Sequence, residues 1–156
     1  MLRVSQKLEY AMRAMIELSL REPDTLVSAR EIAESQQIPL RFLEQQLGTL
    51  NKAGLVESQR GAGGGCKLAR PATEITMGDI ADAIEGPFFP MGCLEPGDHT
   101  CFQDSKCGLQ ELWGDVYVAI RQVFETTTVA TLAERHKKVA TPRPVFAPAE
   151  LIRPRP

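Results

Sequence analysis

A glycine run that directly follows a helical segment is the feature that most restricts how this chain can fold. Four of the five residues from 61 to 65 are glycine. The residues before the run, 55–60, and those after it, 67–69, have the composition of short strands. Glycine accepts backbone conformations that other residues avoid, so the run predicts a tight loop between the two strands. A β-hairpin is therefore expected immediately after the preceding helix.

Three helical segments are predicted ahead of this hairpin. Ser5 can cap the first, and the second opens at Ser28 with Glu31 three residues later, which is the spacing of a capping box. The third carries Pro39 in its first turn and stops at Gly54. Three short helices followed by a hairpin are the element order of a winged helix-turn-helix. The buried stripe of the third helix is predicted to consist of Leu43, Leu47 and Leu50.

The opposite face of the third helix is polar and suited to DNA. Its candidate DNA-contacting residues are Arg41, Glu44, Gln45 and Lys52, which can reach base edges and phosphates. The helix pattern alone is equally compatible with a solvated face on a small bundle. The hairpin favours DNA binding, because a glycine-rich wing can lie close to a phosphate or in a minor groove. The candidate DNA-contacting residues of the wing are Arg60, Gly61 and Gly63.

A dinucleotide-binding loop is the alternative interpretation of the glycine run. That fingerprint needs a third glycine at position 66, where Cys66 stands, and a helix beginning there. Neither requirement is met, so we reject this interpretation. Cys66 itself is expected to be a small loop residue of the wing.

The second half of the chain contains one short and one long helical segment. Thr76 and Asp79 can cap the short helix, which ends at Gly86. A lone helix as apolar as the long one needs a partner surface, so we expect it both to fold back on the first helix and to pair with its copy in a dimer. Its apolar stripe consists of Leu109, Leu112, Trp113, Val116, Ile120, Val123 and Phe124.

The predicted fold class is mainly α: a winged helix-turn-helix with a small β-hairpin wing and a long C-terminal dimerisation helix. Residues 1–86 form the DNA-binding domain in this prediction, and residues 87–107 form a cysteine loop that binds a cluster. Residues 108–139 hold the dimerisation helix and a short terminal helix. The proline-rich residues 140–156 have little periodicity and are predicted to be a disordered tail.

Three cysteines, Cys93, Cys101 and Cys107, fall in a polar segment with little to bury. Thiolates that converge on a metal or cluster would order such a loop. A zinc site is an alternative if His99 completes a set of three cysteines and one histidine, although no pair of these cysteines has the usual two-residue spacing. Three unrelated loop cysteines are the remaining interpretation.

Charge and hydropathy restrict where the chain acts. Residues 1–70 carry 10 basic and 8 acidic side chains, whereas residues 71–156 carry 8 and 12, a contrast that permits a DNA-facing N-terminal half. No apolar run approaches the roughly 20 residues of a membrane span. We therefore expect a cytoplasmic protein with no membrane contact, in which clustered cysteines indicate metal or redox chemistry rather than disulfides.

From Leu2 to about Glu134 the chain resembles the Rrf2-type winged-helix iron–sulfur transcription regulators, whose members include IscR, NsrR and RirA. The resemblance covers most of the chain. The motifs that carry it are specific together, although no single motif would be. It implies a homodimer that binds a palindromic operator in double-stranded DNA and holds an iron–sulfur cluster through Cys93, Cys101 and Cys107. The motifs that carry it are Tyr10-Ala11, Ile38-Pro39, Phe42-Leu43-Glu44-Gln45, Ala53-Gly54-Leu55-Val56, Arg60 to Gly65, Ile75-Thr76, the three cysteines and Leu112-Trp113.

The chain departs from the family pattern at the fourth cluster ligand. IscR-like members have a histidine three residues after the third cysteine, where this chain has Gln110, a poor iron ligand. NsrR-like members use a first-helix aspartate, and here Glu9 stands at that position. Glu9, from the same or the partner chain, is the expected fourth ligand, with Arg13 one turn later holding its carboxylate. Three cysteines and a carboxylate favour a 4Fe–4S over a 2Fe–2S cluster.

The predicted function is DNA-binding transcription regulation that senses iron, iron–sulfur status, or redox or nitric oxide stress. No catalytic set of side chains is visible in the sequence, so an enzyme is not expected. The alternatives are a zinc-stabilised DNA-binding module without sensing and a small iron–sulfur redox component.

Overall fold

The computed structural model describes residues 4–61, 63–97 and 107–138. Its helices and strands confirm the predicted class, which is mainly helical with one antiparallel hairpin. None of the described helices is long and apolar enough to cross a membrane. The elements in chain order are α1 (Gln6–Ser19), α2 (Ala29–Gln36), α3 (Leu40–Lys52), β1 (Val56–Gln59), β2 (Gly65–Leu68), α4 (Met77–Glu85), a 3₁₀ turn (Gly92–Leu94), α5 (Gly108–Thr126) and α6 (Val129–Lys138).

The predicted helix caps are confirmed. The amide of Leu8 donates to the Ser5 hydroxyl at 3.2 Å, and Ser28 and Glu31 form the expected capping box. Thr76 caps α4 in the same way. Pro39 differs slightly from the prediction: it precedes the helix as its cap, and α3 begins at Leu40.

Helix α1 lies at the centre of the core. It packs against α2, α3, α4, α6 and β2. Its Ala11, Ala14 and Met15 are fully buried, and the two alanines allow neighbouring backbones to approach closely. The predicted stripe of α3 is confirmed as part of this core, and Ile75, Ile80 and Val129 complete the opposite side.

The hairpin contacts the helices through both strands, β1 against α3 and β2 against α1. Strands β1 and β2 pair from Val56 with Leu68 to Gln59 with Gly65. The α1–α2 loop adds a bridge on the other side of β2, where Val27 pairs with Cys66. Cys66 is therefore a strand residue. The sequence prediction that it lies in the loop of the wing is wrong. Cys66 faces the core with 3% of its surface exposed, because the alternation of β2 places it on the buried side.

Helix α5 contributes no buried residue. It packs mainly against α4, where Arg121 forms an ion pair with Asp82 at 2.8 Å. Phe89 stacks on Tyr117 beside this contact. The expected packing on α1 is not the main one. A cavity of about 530 Å³ is lined by Val4, Ser5 and Leu8 on one side and by Ile120, Arg121 and Phe124 on the other. Helix α6 then returns to α1.

Candidate nucleic-acid interface and cysteine site

Helices α2 and α3 are joined by the tight turn of a helix-turn-helix. Gln37, the residue after α2, takes a left-handed conformation with φ of 51°. The amide of Ile38 then donates to the carbonyl of Ala33 at 2.9 Å, which closes the end of α2. The chain enters α3 two residues later.

Helix α3 divides cleanly into a buried and an exposed face. Leu43, Leu47 and Leu50 are buried, together with Gln46, whose burial the helix pattern did not predict. The four predicted DNA-contacting residues of this helix are all exposed: Arg41, Glu44, Gln45 and Lys52. The structure therefore leaves the polar face of α3 open to a ligand.

A polar network that the sequence did not predict holds the turn between α2 and α3. The guanidinium of Arg13 donates to the backbone carbonyl of Gln36, the last residue of α2. The side-chain amide of Gln36 in turn donates to the carboxylate of Glu17 at 2.8 Å, and Arg21 pairs with the same carboxylate at 2.6 Å. Arg13 also lies 3.4 Å from the carboxylate of Glu9. One side chain thus touches both the proposed fourth ligand and the end of α2.

Glu17 is the buried charge of this network, with 7% of its surface exposed. Burial on its own raises the pKa of Glu17. Hydrogen bonds from Gln36, Ser35 and Arg21, with the positive charge of Arg21, outweigh burial and leave the pKa below the ordinary value of a glutamate. The only sequence signal for this site was a charged residue on the apolar side of α1.

The wing presents its predicted residues to solvent. Arg60, Gly61 and Gly63 are exposed. Gly61 and Gly63 have φ of 110° and 82°, which side chains rarely adopt, so both positions need glycine. The amide of Gly64 donates back to Gly61 at 2.9 Å and closes the loop. The backbone at the tip is thus free to approach a partner.

An ion pair fixes the base of the wing. Lys67 on β2 contacts Asp24 of the α1–α2 loop at 2.5 Å and Glu57 on β1 at 3.6 Å. The pKa of Asp24 is lowered by its hydrogen bond with Lys67 and by the positive charge of that residue. Together with the bridge between Val27 and Cys66, this pair joins the base of the wing to the α1–α2 loop.

Two of the three predicted cluster cysteines lie within the described residues. Cys93 is in the 3₁₀ turn and Cys107 precedes α5 as its cap residue. Both are free thiols and half-buried. Cys101 and His99 lie outside the described residues. Within the described ranges no three cysteine, histidine, aspartate or glutamate side chains converge as a metal site.

The cysteine thiols and the Glu9 carboxylate are chemically suitable ligands for an iron–sulfur cluster. Cys93 and Cys107 flank the segment that holds Cys101, and reduced thiols are the ligands that iron in such clusters prefers. Glu9 is exposed on α1 and carries only its ion pair with Arg13 at 3.4 Å within the described residues. Its carboxylate is therefore accessible to a ligand from outside the chain.

Comparison with known proteins decides the family. The family model described as "Rrf2: Iron-dependent Transcriptional regulator" matches residues 4–135. The chain belongs to the Rrf2 family. It is accordingly a DNA-binding transcriptional regulator and not an enzyme.

Relatives within the Rrf2 family carry different names. CymR of Bacillus subtilis is 35% identical over 132 residues, which are 85% of this chain and 90% of that protein. NsrR of Oceanobacillus iheyensis is 32% identical over 131 residues, 84% of this chain and 89% of that protein.

Solved structures of Rrf2 regulators share the fold. The structure of CymR, described as the global cysteine regulator of B. subtilis, has a TM-score of 0.74 at 34% identity and covers 86% of this chain and 98% of its own. The IscR structure of T. potens has a TM-score of 0.71 at 31% identity and covers 92% of this chain and 94% of its own. Membership alone does not select a signal, because CymR is described as a cysteine regulator.

Proposed function

We propose that this Rrf2 regulator is a homodimer whose DNA binding responds to an iron–sulfur cluster held by Cys93, Cys101 and Cys107. The observation that carries the proposal is the pair of free, half-buried thiols at the two ends of one short segment. They stand between the predicted DNA-binding domain (residues 1–86), here called the DNA-reading head, and α5, so a cluster bound there could affect the spacing of the two DNA-reading heads in a dimer. The signals that suit such a site are iron supply, iron–sulfur status, and redox or nitric oxide stress.

The DNA contacts follow from the exposed surfaces. Arg41, Glu44 and Gln45 on α3 face the major groove, and Lys52 at the end of the helix reaches a phosphate. Arg60 with Gly61 and Gly63 follows the backbone or enters the minor groove. Two heads on a palindromic operator would place their α3 helices about one DNA turn, roughly 34 Å, apart.

The dimer is supported by the outer face of α5. Leu109, Leu112 and Val123 are more than half exposed. With Val116 and Ala119 they form one stripe at alternating spacings of three and four residues, the pattern of a coiled-coil seam. The neighbouring face of the same helix packs on α4. The second copy of the chain is the partner that covers such a stripe symmetrically.

The cluster site would use residues from both protomers. Cys93, Cys101 and Cys107 supply three thiolates, and Glu9 of the other protomer supplies a carboxylate as the fourth ligand. When bound, the group would supply chemistry that responds to oxygen, nitric oxide and iron supply, most readily at the iron without a thiolate. Three thiolates and a carboxylate suit a 4Fe–4S rather than a 2Fe–2S cluster.

Coupling to DNA would run through groups already in contact. A Glu9 carboxylate that binds iron has less charge to share with Arg13, and Arg13 holds the carbonyl of Gln36 at the turn before α3. A bound cluster would also fix the start of α5, because Cys107 is the residue before that helix. A coupling free energy of about 1–3 kcal/mol between the two sites is enough for a switch.

The deciding measurement uses full-length protein purified without oxygen. The visible absorption spectrum is recorded and the iron, sulfide and zinc contents per chain are determined, before and after reconstitution with iron and sulfide. Near-equal iron and sulfide in a brown protein support the proposal. Stoichiometric zinc in a colourless protein would instead establish the zinc-stabilised module.

A cluster-free regulator is the second candidate, favoured by the similarity to CymR, which is described as a cysteine regulator. The two candidates differ in the behaviour of Cys101→Ala. In a cluster sensor this variant stays a folded dimer and loses the difference in DNA affinity between reconstituted and metal-free protein. The matched control is Cys66→Ala, which should keep its iron because Cys66 is buried in the wing. An unchanged response in Cys101→Ala would contradict the cluster proposal.

A further inference from the structure

One large apolar side chain is exposed on the DNA-reading head. Phe42, in the first turn of α3, exposes 54% of its surface. It does not take part in the core, which α3 enters through Leu43, Leu47 and Leu50. The other exposed large apolar residues of the described ranges are Val4 and, on α5, Leu109, Leu112, Val118 and Val123.

Phe42 stands at the edge of the polar face of α3. At 3.6 residues per turn, it lies roughly 60° around the helix axis from Gln45 and in line with Thr49, two turns later. The Thr49 hydroxyl is turned back to the carbonyl of Gln45 at 3.1 Å, so it is occupied within the helix. This edge of α3 is therefore apolar, next to the polar residues proposed to read bases.

The chemistry of the major groove offers one apolar partner for such an edge. The first residues of a recognition helix contact base edges, and the C5-methyl group of thymine is the apolar feature among them. We propose that Phe42 is a specificity-determining residue that packs against a thymine methyl group in each half-site. The inference rests on the proposed role of α3 as the recognition helix.

The expected size of the effect follows from the area of one methyl group. Burying a methyl-sized group contributes about 0.8 kcal/mol, which corresponds to about a fourfold change in affinity per half-site. A dimer that occupies both half-sites would show the factor twice, about 15-fold in total. The effect should be independent of salt concentration, because no phosphate charge is neutralised.

The test begins with parallel selections from a random-sequence DNA library, using full-length wild type and Phe42→Ala. The wild type should select a thymine at one position of each half-site, and Phe42→Ala should accept any base there. Each thymine of the wild-type site is then replaced by uracil, which removes only the methyl group. Uracil at the selected position should weaken wild type about fourfold per half-site and leave Phe42→Ala unaffected.

Two further variants make the outcome unambiguous. Phe42→Leu keeps an apolar side chain and should retain part of the thymine preference, and thermal unfolding should match wild type for both Phe42 variants because the ring is exposed. Gln45→Ala tests the helix itself. If Gln45→Ala selects a different DNA sequence and Phe42→Ala selects the wild-type sequence, the proposed role of Phe42 is overturned and the role of α3 is kept. Unchanged sites for both would show that α3 does not read the bases.

Discussion

Val27 and Cys66 exchange two backbone hydrogen bonds, from the Val27 amide to the Cys66 carbonyl at 2.9 Å and in the reverse direction at 2.8 Å. The α1–α2 loop thereby acts as a third, one-residue strand beside β2. The wing is consequently fastened to the helical core at its base, whereas Gly61 and Gly63 near its tip are exposed. The α1–α2 loop that holds this base also leads into the helix-turn-helix.

Gly65→Ala should disturb this attachment. A Cβ atom at position 65 would lie 2.6 to 2.9 Å from backbone atoms of Val27, a clash that only backbone movement can relieve. We expect a loss of about 1–3 kcal/mol in the free energy of unfolding, measured by chemical denaturation. Gly48→Ala is the matched control, because nothing lies within 4 Å of its new Cβ. Equal stability of the two variants would contradict the close contact.

Arg60→Ala should weaken DNA binding at the wing. Arg60 is exposed beside the glycine loop, and its loss would remove the phosphate contact proposed for it. The affinity should fall for all DNA sequences, and the slope of log K against log salt should become shallower by about 0.9. Titrations at several salt concentrations measure this slope. Lys137→Ala, which removes a charge from α6, should leave it unchanged; an unaltered slope in Arg60→Ala would refute the wing contact.

Leu112→Glu should separate the proposed dimer. Leu112 is 54% exposed and belongs to the apolar stripe of α5 formed with Leu109, Val116, Ala119 and Val123, so a carboxylate there would be buried without a partner at a paired interface. Sedimentation should show a monomer with near-normal helix content. Gln122→Glu adds the same charge to an exposed position of α5 outside the stripe and should remain dimeric. A dimeric Leu112→Glu would exclude α5 as the pairing surface.

Glu17→Gln should reduce the loss of the free energy of unfolding that occurs as the pH falls into the acid range. Because the folded-state pKa of Glu17 lies below the ordinary value, its ionised form stabilises the protein above about pH 4.3, the value for an unfolded glutamate. That stabilisation is lost as the pH falls through the folded-state pKa. The variant should be less stable by about 1–2 kcal/mol at neutral pH and similar to wild type in acid. Glu22→Gln, at an exposed position, is the control and should lose stability in acid as the wild type does.

The Cys66 thiol should be slow to react with alkylating reagents. Burial raises its pKa to about 11, so little thiolate forms at pH 8, and the core covers the sulfur. Mass spectrometry of metal-free, folded protein should find Cys93 and Cys107 modified well before Cys66. Modification of all three at one rate would show that β2 opens readily. Urea should abolish the difference.

Local sequence signals predicted the helices and the wing well. Caps at Ser5, Ser28 and Thr76 and the glycines of the wing act through neighbouring backbone atoms, so their effect can be read from short spacings. The stripe of α3 follows from the helix period. The exposed positions of Arg41, Gln45 and Arg60 follow from the same two patterns, whereas their contacts with DNA stay predictions.

Long-range contacts could not be predicted in the same way. The burial of Cys66 depends on Val27, which lies 39 residues earlier, and the hydrogen bond of Arg13 to Gln36 spans 23 residues. Nothing in the spacing of these residues shows that they meet. The packing of α5 on α4 likewise brings together Arg121 and Asp82, which lie 39 residues apart in the sequence. The predicted cluster ligand Cys101 and the proline-rich residues 140–156 lie outside the described residues.

The path of the chain from α4 to α6 has a consequence for substitutions in α5. The backbone amide of Met77 donates to the carbonyl of Thr127 at 2.9 Å, and the backbone amide of Val129 donates to the carbonyl of Ile75 at 2.9 Å. The chain therefore leaves the core and returns to it at adjacent points, and α5 adds nothing buried in between. Within the described residues, substitutions on the outer face of α5 can therefore change the surface that this helix presents without removing a side chain from the core that supports α3 and the wing.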